Sequence, residues 1–292
     1  MKTIFYKKSD NNNLQQNSKS ITMPKFRLLL LCILFCLPAH YAYSQNPSAQ
    51  EIMEMVDNRD DGDRSVADMQ MLLIDRNSNQ RIRTLRSFGI DQKEDRYSLM
   101  FFLSPAEVKG TGFLSYDYDA EGKDDDQWLY LPALKKVKRI ASNDKSGSFM
   151  GSDFSYADLT KRRLKDYNYS FYMKQPQVTV YGEPCWVIES VPKNENIVDE
   201  IGYIKSIIFV RQDIKVVVRA INYLEDSSDI KYFDVKKMKI IDGIWTGLEI
   251  HMTRKKGNKI IHKTILTQEN IRYNQELVND ALFSTRNLEK GL

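Results

Sequence analysis

The sequence predicts a mainly β protein: a strongly curved antiparallel sheet or an open barrel. Three observations predict it. A dozen or more short runs with strand character recur between residues 67 and 268. Polar turns join most of them, and Asp242-Gly243 between two runs is a two-residue hairpin signal. Long helical segments between the runs are missing, so neighbours pair antiparallel, and a sheet this long must curl or close to hide its edges.

The folding part begins late. Residues 25–44 read as a secretory signal peptide: Lys25 and Arg27, the apolar run Leu28 to Leu37, then Ala42 and Ser44 on either side of Tyr43. That run is far shorter than the about 20 apolar residues that span a bilayer. Phe35 is too bulky to precede a lipoprotein-type cleavage at Cys36, so the expected product is soluble and starts near Gln45. Met23 opens the signal, and residues 1–22, rich in Asn, Gln, Ser and Lys, read as an upstream extension. The expected division is 1–44, extension plus cleaved leader, and 45–292, a single domain. Beyond residue 44 the chain carries 37 basic and 38 acidic residues, a balance that gives no support to nucleic-acid binding. Cys32 and Cys36 leave with the leader, and Cys185, in the apolar run Cys185-Trp186-Val187-Ile188, reads as a buried inert thiol.

In chain order, residues 48–60 predict a helix, with Ser48 as cap, Glu51 three residues on, and Ile52, Met55 and Val56 on one face. Met69, Met71 and Leu73 alternate on a first strand, 81–85 follows across the polar turn 75–79, and 97–103 is a third strand. Further strands are expected near 112–118, 127–131, 136–140, 165–173, 177–181, 185–191, 203–210, 214–224, 229–241, 244–253 and 260–268. Helical interruptions are expected at 104–109 and near 155–162, where Ser155 and Asp158 form a shortened capping box. The tail offers Leu282, Phe283 and Leu288 for packing.

Catalysis lacks its parts. Gly147-Ser148-Phe149-Met150-Gly151 has its serine one place early for a nucleophile elbow. Beyond the leader the histidines are His251 and His262, on neighbouring predicted strands, with no Cys or carboxylate at a ligand spacing beside them. Asp117-Tyr118-Asp119-Ala120-Glu121-Gly122 opens like an EF-hand loop but has Trp128 where the bidentate Glu belongs. No catalytic residue, metal or cofactor is expected. The stretch Ser148 to Leu159 instead carries Phe149, Met150 and Phe154 on a glycine-bearing loop, either as a core plug or as a lid over a cavity. Upstream, Lys135, Lys136, Lys138 and Arg139 surround Val137 on a strand, with Lys145, Lys161, Arg162 and Arg163 nearby in sequence. They form a patch for lipid headgroups or an acidic partner, or a charged edge that blocks aggregation.

Trp128 to Leu159, WLYLPALKKVKRIASNDKSGSFMGSDFSYADL, resembles the signature stretch of the outer-membrane lipoprotein-sorting, LolA-like family. KGTGFL at 109–114, YGEPCWVIES at 181–190 and the closing LFSTRNLEKG support the resemblance. It implies an incomplete (half-open) antiparallel β-barrel with a few helices covering its mouth, an apolar cavity between them, residence in the periplasm, and an inner-membrane exporter of the RND type as a partner.

The function expected from residues and resemblance together is a periplasmic carrier. It binds a lipid or lipoprotein acyl chain on its way from the inner towards the outer membrane, touches the membrane surface transiently, and is a monomer. The candidate lining or lid residues are Met69, Met71, Leu73, Leu99, Phe101, Trp128, Tyr130, Phe149, Met150 and Phe154. A one-residue error in register exchanges the two faces of every strand. The alternative is a regulatory module that binds an envelope protein through a sheet edge or the basic patch.

Overall fold

The computed structural model describes residues 46–120, 122–225 and 228–291. The expected leader, Glu121 of the EF-hand-like stretch and residues 226 and 227 of a predicted turn lie outside them. Helix α1 (Ala49–Asp57) carries the expected capping box: Ser48 Oγ accepts from the Glu51 N–H (3.2 Å), and Glu51 Oε2 accepts from the Ser48 N–H (2.7 Å). Ala49, Ile52 and Met53 form its buried stripe, and Met55 is exposed rather than sharing it.

The strands are β1 (Arg64–Asp75), β2 (Gln80–Gln92), β3 (Asp95–Ser104), β4 (Gly112–Asp117), β5 (Asp126–Leu131), β6 (Lys136–Ile140), β7 (Tyr167–Phe171), β8 (Gln177–Val180), β9 (Glu183–Pro192), β10 (Tyr203–Arg211), β11 (Val217–Leu224), β12 (Asp229–Ile241), β13 (Ile244–Lys256) and β14 (Lys259–Tyr273). Every pairing is antiparallel, and the spatial order is β6-β5-β4-β3-β2-β1-β14-β13-β12-β11-β10-β9-β7, with β8 also on β9. The chain therefore meanders outward from β1 to the edge at β6 and crosses to the opposite edge at β7. It then meanders back until β14 lies beside β1. The sheet is a strongly curved, unclosed barrel. Asp242-Gly243 makes the expected two-residue hairpin between β12 and β13, with φ 52° and 87°, the left-handed pair that such a turn requires.

The helical expectations at 104–109 and 155–162 are corrected. Residues 105–110 form turns, and 155–162 contains only the 3-10 turn Ala157–Leu159. The Ser155–Asp158 reciprocity is present (3.1 and 2.8 Å), but it spans only the start of that single turn, whose cap position is Tyr156. Two short helices go beyond the sequence reading: α2 (Glu195–Ile201), capped by Asn194, and α3 (Thr285–Lys290), capped by Ser284. Among the described residues no helix is long and apolar enough to cross a membrane.

Strand alternation sorts the core into faces. On the inner face, one row runs across neighbouring strands as Ile188, Ile208, Ala220, Phe233, Met252 and Thr264. Ile52 and Met53 of α1 pack on its Ile188–Ile208 end. The next row on this face is polar: Ser190, Ser206, Asn222, Lys231, Arg254 and His262. On the β1–β6 half the inner face is apolar, with Leu73, Leu85, Phe102 and Phe113 in one cluster. The opposite face of β2–β5 is also buried, because Val278, Phe283 and Leu288 of the tail cover it. Two covered faces explain why Leu99 to Leu103 is an unbroken apolar run.

Candidate functional site: an amphipathic cavity beneath the crossing segment

Residues 141–166 connect the two edges of the sheet and fill its concave side. Their tip is a pinched loop. The Ser148–Ser155 bridge and a bond from the Phe149 N–H to the Phe154 carbonyl (2.7 Å) close its base. Met150 (φ 51°) and Gly151 (φ 74°) occupy the left-handed region at its turn, with the Ser152 N–H bonded back to the Phe149 carbonyl (3.0 Å). Arg83 of β2 donates to the Met150 carbonyl.

Phe149 is fully buried, with ring centroids of Phe113, Tyr156 and Phe102 at 5.2, 5.5 and 5.9 Å. Two carboxylates then fasten the segment to the inner face. Asp153 Oδ2 accepts from His262 Nδ1 (2.6 Å) and from Thr264 Oγ1 (2.8 Å). Asp158 accepts from the Tyr203 hydroxyl (2.9 Å) and lies 3.9 Å from the Lys231 amine. Burial pushes the Tyr203 phenol well above its ordinary pKa, and the adjacent Asp158 charge adds to this. Burial pulls the Lys231 amine down, against the opposing pull of Asp158. The Gly-Ser-Asp stretch thus plugs the β1–β6 core with Phe149 and anchors to β14 with Asp153.

Between this segment, α1 and β10–β13 lies a cavity of about 310 Å³. Met53 and Val56 of α1, Phe154 and Leu164 of the segment, and Ile208, Ala220, Phe233 and Met252 of the inner row enclose it. Ala220 is the small member of its row, and the space exists above it. Asp57, Asp61, Asp158, Lys161 and Arg162 supply its polar wall. A second cavity of about 310 Å³ touches Asp61, Met69 and Met100.

The sequence-selected residues divide. Phe154 lines the first cavity and Met69 the second. Met71, Leu73 and Phe149 are buried in the inner-face cluster, against which Met150 packs. Leu99, Phe101, Trp128 and Tyr130 are corrected: they project from the opposite face and pack beneath Val278, Phe283 and Leu288. The sequence reading missed Met53, Ala220, Phe233 and Met252, and it placed Arg162 in the basic patch rather than at this cavity. The unpartnered apolar stripe of α1 was the one signal pointing towards them.

The basic cluster also divides. Lys135, Lys136, Lys138 and Arg139 sit at or beside β6, an exposed edge strand, with Arg139 paired to Asp126 (Nε–Oδ1 2.9 Å) and Lys138 3.8 Å from Asp144. Lys145, Lys161 and Arg163 do not extend that patch. Lys145 is buried against Glu200 of α2 (2.6 Å), Lys161 pairs with Asp57 (3.0 Å), and Arg163 pairs with Asp166 (2.7 Å). His251 and His262 stand on opposite faces, opposite Ile265 and Arg254 respectively, so they do not converge on one ion. Cys185 is buried, which raises its thiol pKa.

A family model described as an uncharacterized protein matches residues 94–290, more than half of the chain. A domain from Vibrio parahaemolyticus that carries the name outer membrane lipoprotein-sorting protein is 28% identical, with a TM-score of 0.73 over 82% of this chain and 98% of that one. The chain belongs to the family of that model, and it shares the fold of the lipoprotein-sorting domain. A DUF1329 family protein from Desulfovibrio piger is likewise 28% identical, with a TM-score of 0.74 over 82% of this chain and 97% of that one. A LolA superfamily protein from Nitrosomonas europaea, 16% identical, shares the LolA-like fold at a TM-score of 0.61 over 82% and 98% of the two chains. A comparison with curated proteins finds no match.

Proposed function

We propose that this LolA-like protein is a periplasmic carrier that binds a lipid or lipoprotein acyl chain in the cavity beneath the crossing segment. The observation that carries the proposal is the apolar enclosure by Met53, Phe154, Ile208, Ala220, Phe233 and Met252. The driving force is desolvation, about 0.8 kcal/mol per buried methylene, and no bond is made or broken. The names of the Vibrio and Nitrosomonas relatives support this reading. The route we propose runs from the inner towards the outer membrane, with an RND-type exporter as the donor, and release follows contact with a membrane.

The test is titration of the delipidated protein with a fluorescent acyl probe, beside an Ala220→Phe variant. Saturable binding that the added ring abolishes supports the carrier. Absence of binding, or binding indifferent to Ala220→Phe, removes it. The exposed basic edge at β6 favours a second reading, a sensor module that pairs with an envelope protein along that strand. Native mass spectrometry of protein taken from the periplasm separates the two: co-purified lipid supports the carrier, and empty protein with a bound polypeptide supports the module.

A further inference from the structure

We infer that the ligand is an amphiphile with a single chain and an anionic headgroup, a carboxylate or a phosphate, and that Arg162 receives that headgroup. The inference rests on the carrier reading. It begins with size. An apolar cavity of about 150 Å³ holds one benzene, so the 310 Å³ present here, part of it against charged side chains, suits at most roughly a dozen carbons, one chain rather than several.

Arg162 stands where the apolar cavity meets two further cavities, of about 300 and 160 Å³, both with charged walls. A chain in the first places its head at this junction. The charges around Arg162 are already satisfied by one another. Lys161 pairs with Asp57, Arg163 with Asp166, Lys231 faces Asp158 at 3.9 Å, and Asp61 faces Arg96 at 3.3 Å. Arg162 differs. Among the described residues no carboxylate lies within 4.0 Å of its guanidinium. It donates instead to a neutral hydroxyl, Ser190 Oγ (3.0 Å), and its guanidinium carbon lies 4.6 Å from the Tyr167 ring centroid. A hydroxyl and a ring orient the planar fork without neutralising it, and most of its five N–H donors stay available to an oxyanion.

One orphaned group marks the cavity wall: Asn222 has a buried and unpartnered amide oxygen. A buried polar group of this kind is costly unless something satisfies it. A hydroxyl on the head, or an ordered water, offers Asn222 a donor. The inner face is laid out to match: the apolar row from Ile208 to Met252 runs beside the polar row from Ser190 to Lys231.

The test uses the full chain, delipidated, and four probes of equal chain length: dodecanoate, dodecyl phosphate, dodecanol and dodecyltrimethylammonium, each displacing a fluorescent acyl reporter. The expected result is that the two anions bind about tenfold or more tightly than dodecanol, as a charge-assisted contact implies, and that the cation binds least. Arg162→Gln should erase the preference by weakening both anions about tenfold or more, well beyond any change for dodecanol. Arg86→Gln, on the opposite face of the sheet, should keep it. The ratio between the two anions tells a fatty acid from a phospholipid-derived head. Equal affinity for all four probes, or a preference that survives Arg162→Gln, overturns this inference and leaves the carrier standing. Binding of none overturns both. Should Arg162→Gln fail to fold, the ranking of probes by the natural chain, and the loss of the anion preference at high salt, decide the matter alone.

Discussion

The imidazole of His262 and the carboxylate of Asp153, 2.6 Å apart, join the crossing segment to β14. The contact is nearly dry: Asp153 is 5% exposed, and the adjoining Thr264 hydroxyl is fully buried. Removing the carboxylate strands two polar partners at once. Asp153→Ala should therefore cost about 1–3 kcal/mol of stability in urea denaturation. An unchanged midpoint would show that the segment is held by its apolar contacts alone.

Phe149 is the other hold on the same segment. Its ring touches three aromatic neighbours in a fully buried site, so Phe149→Ala should cost about 3–5 kcal/mol, the range for truncating a large core ring. Met150, next to it, is partly exposed, and Met150→Ala should cost clearly less under the same denaturant. Equal losses would mean that the loop tip, not the ring, carries the packing.

Asp117 makes stability depend on pH. Burial pushes its pKa up from 3.8 to about 7, against hydrogen bonds from Ser115 and from the Lys161 N–H that favour the charged form. An acid whose folded pKa is raised binds its proton more tightly when folded. Its contribution is complete below about 4 and is lost as pH rises towards about 7. Burial raises Asp91 and Asp125 in the same sense. The thermal midpoint should fall between pH 5 and pH 8 in the natural chain. Asp117→Asn should flatten that fall, and a variant tracking the natural chain across the range would refute the assignment.

Gly112 leaves room for the tail. A Cβ built there meets Leu288 Cδ1 at 2.6 Å and Phe101 Cε1 at 3.0 Å. Gly112→Ala should lift α3 from the sheet, and limited proteolysis should then cleave after Lys290 or Arg286 sooner than in the natural chain. Unchanged resistance would mean that the tail repacks around the methyl group.

Much of the architecture was legible because it is written locally. Ser48 and Glu51 announce α1, Asp242-Gly243 announces a hairpin, and the alternation of Met69, Met71 and Leu73 names one face. The parity of β3 was not legible. Leu99, Met100, Phe101 and Phe102 are apolar in succession because the tail covers one side and Phe149 plugs the other. A run apolar on both faces has no alternation to read, so choosing Leu99 and Phe101 chose the wrong side. The cavity was hidden for a related reason. Ala220, Phe233 and Met252 are distant in sequence and become a row only through ladder register, which one sequence does not contain. Arg162 lay inside a run of like charges, where only its neighbours' partners set it apart.

All strand neighbours but one are close along the chain. The exception is the seam between β1 and β14, where Asp75 meets His262. Each half can assemble from hairpins, but among the described residues the ladder joins the halves only along that line. The entropy of closing the long loop falls on this pairing. It also leaves the two outer edges joined by the crossing segment and its side-chain anchors rather than by a ladder, which is the freedom a container needs if its wall is to give way and re-seal.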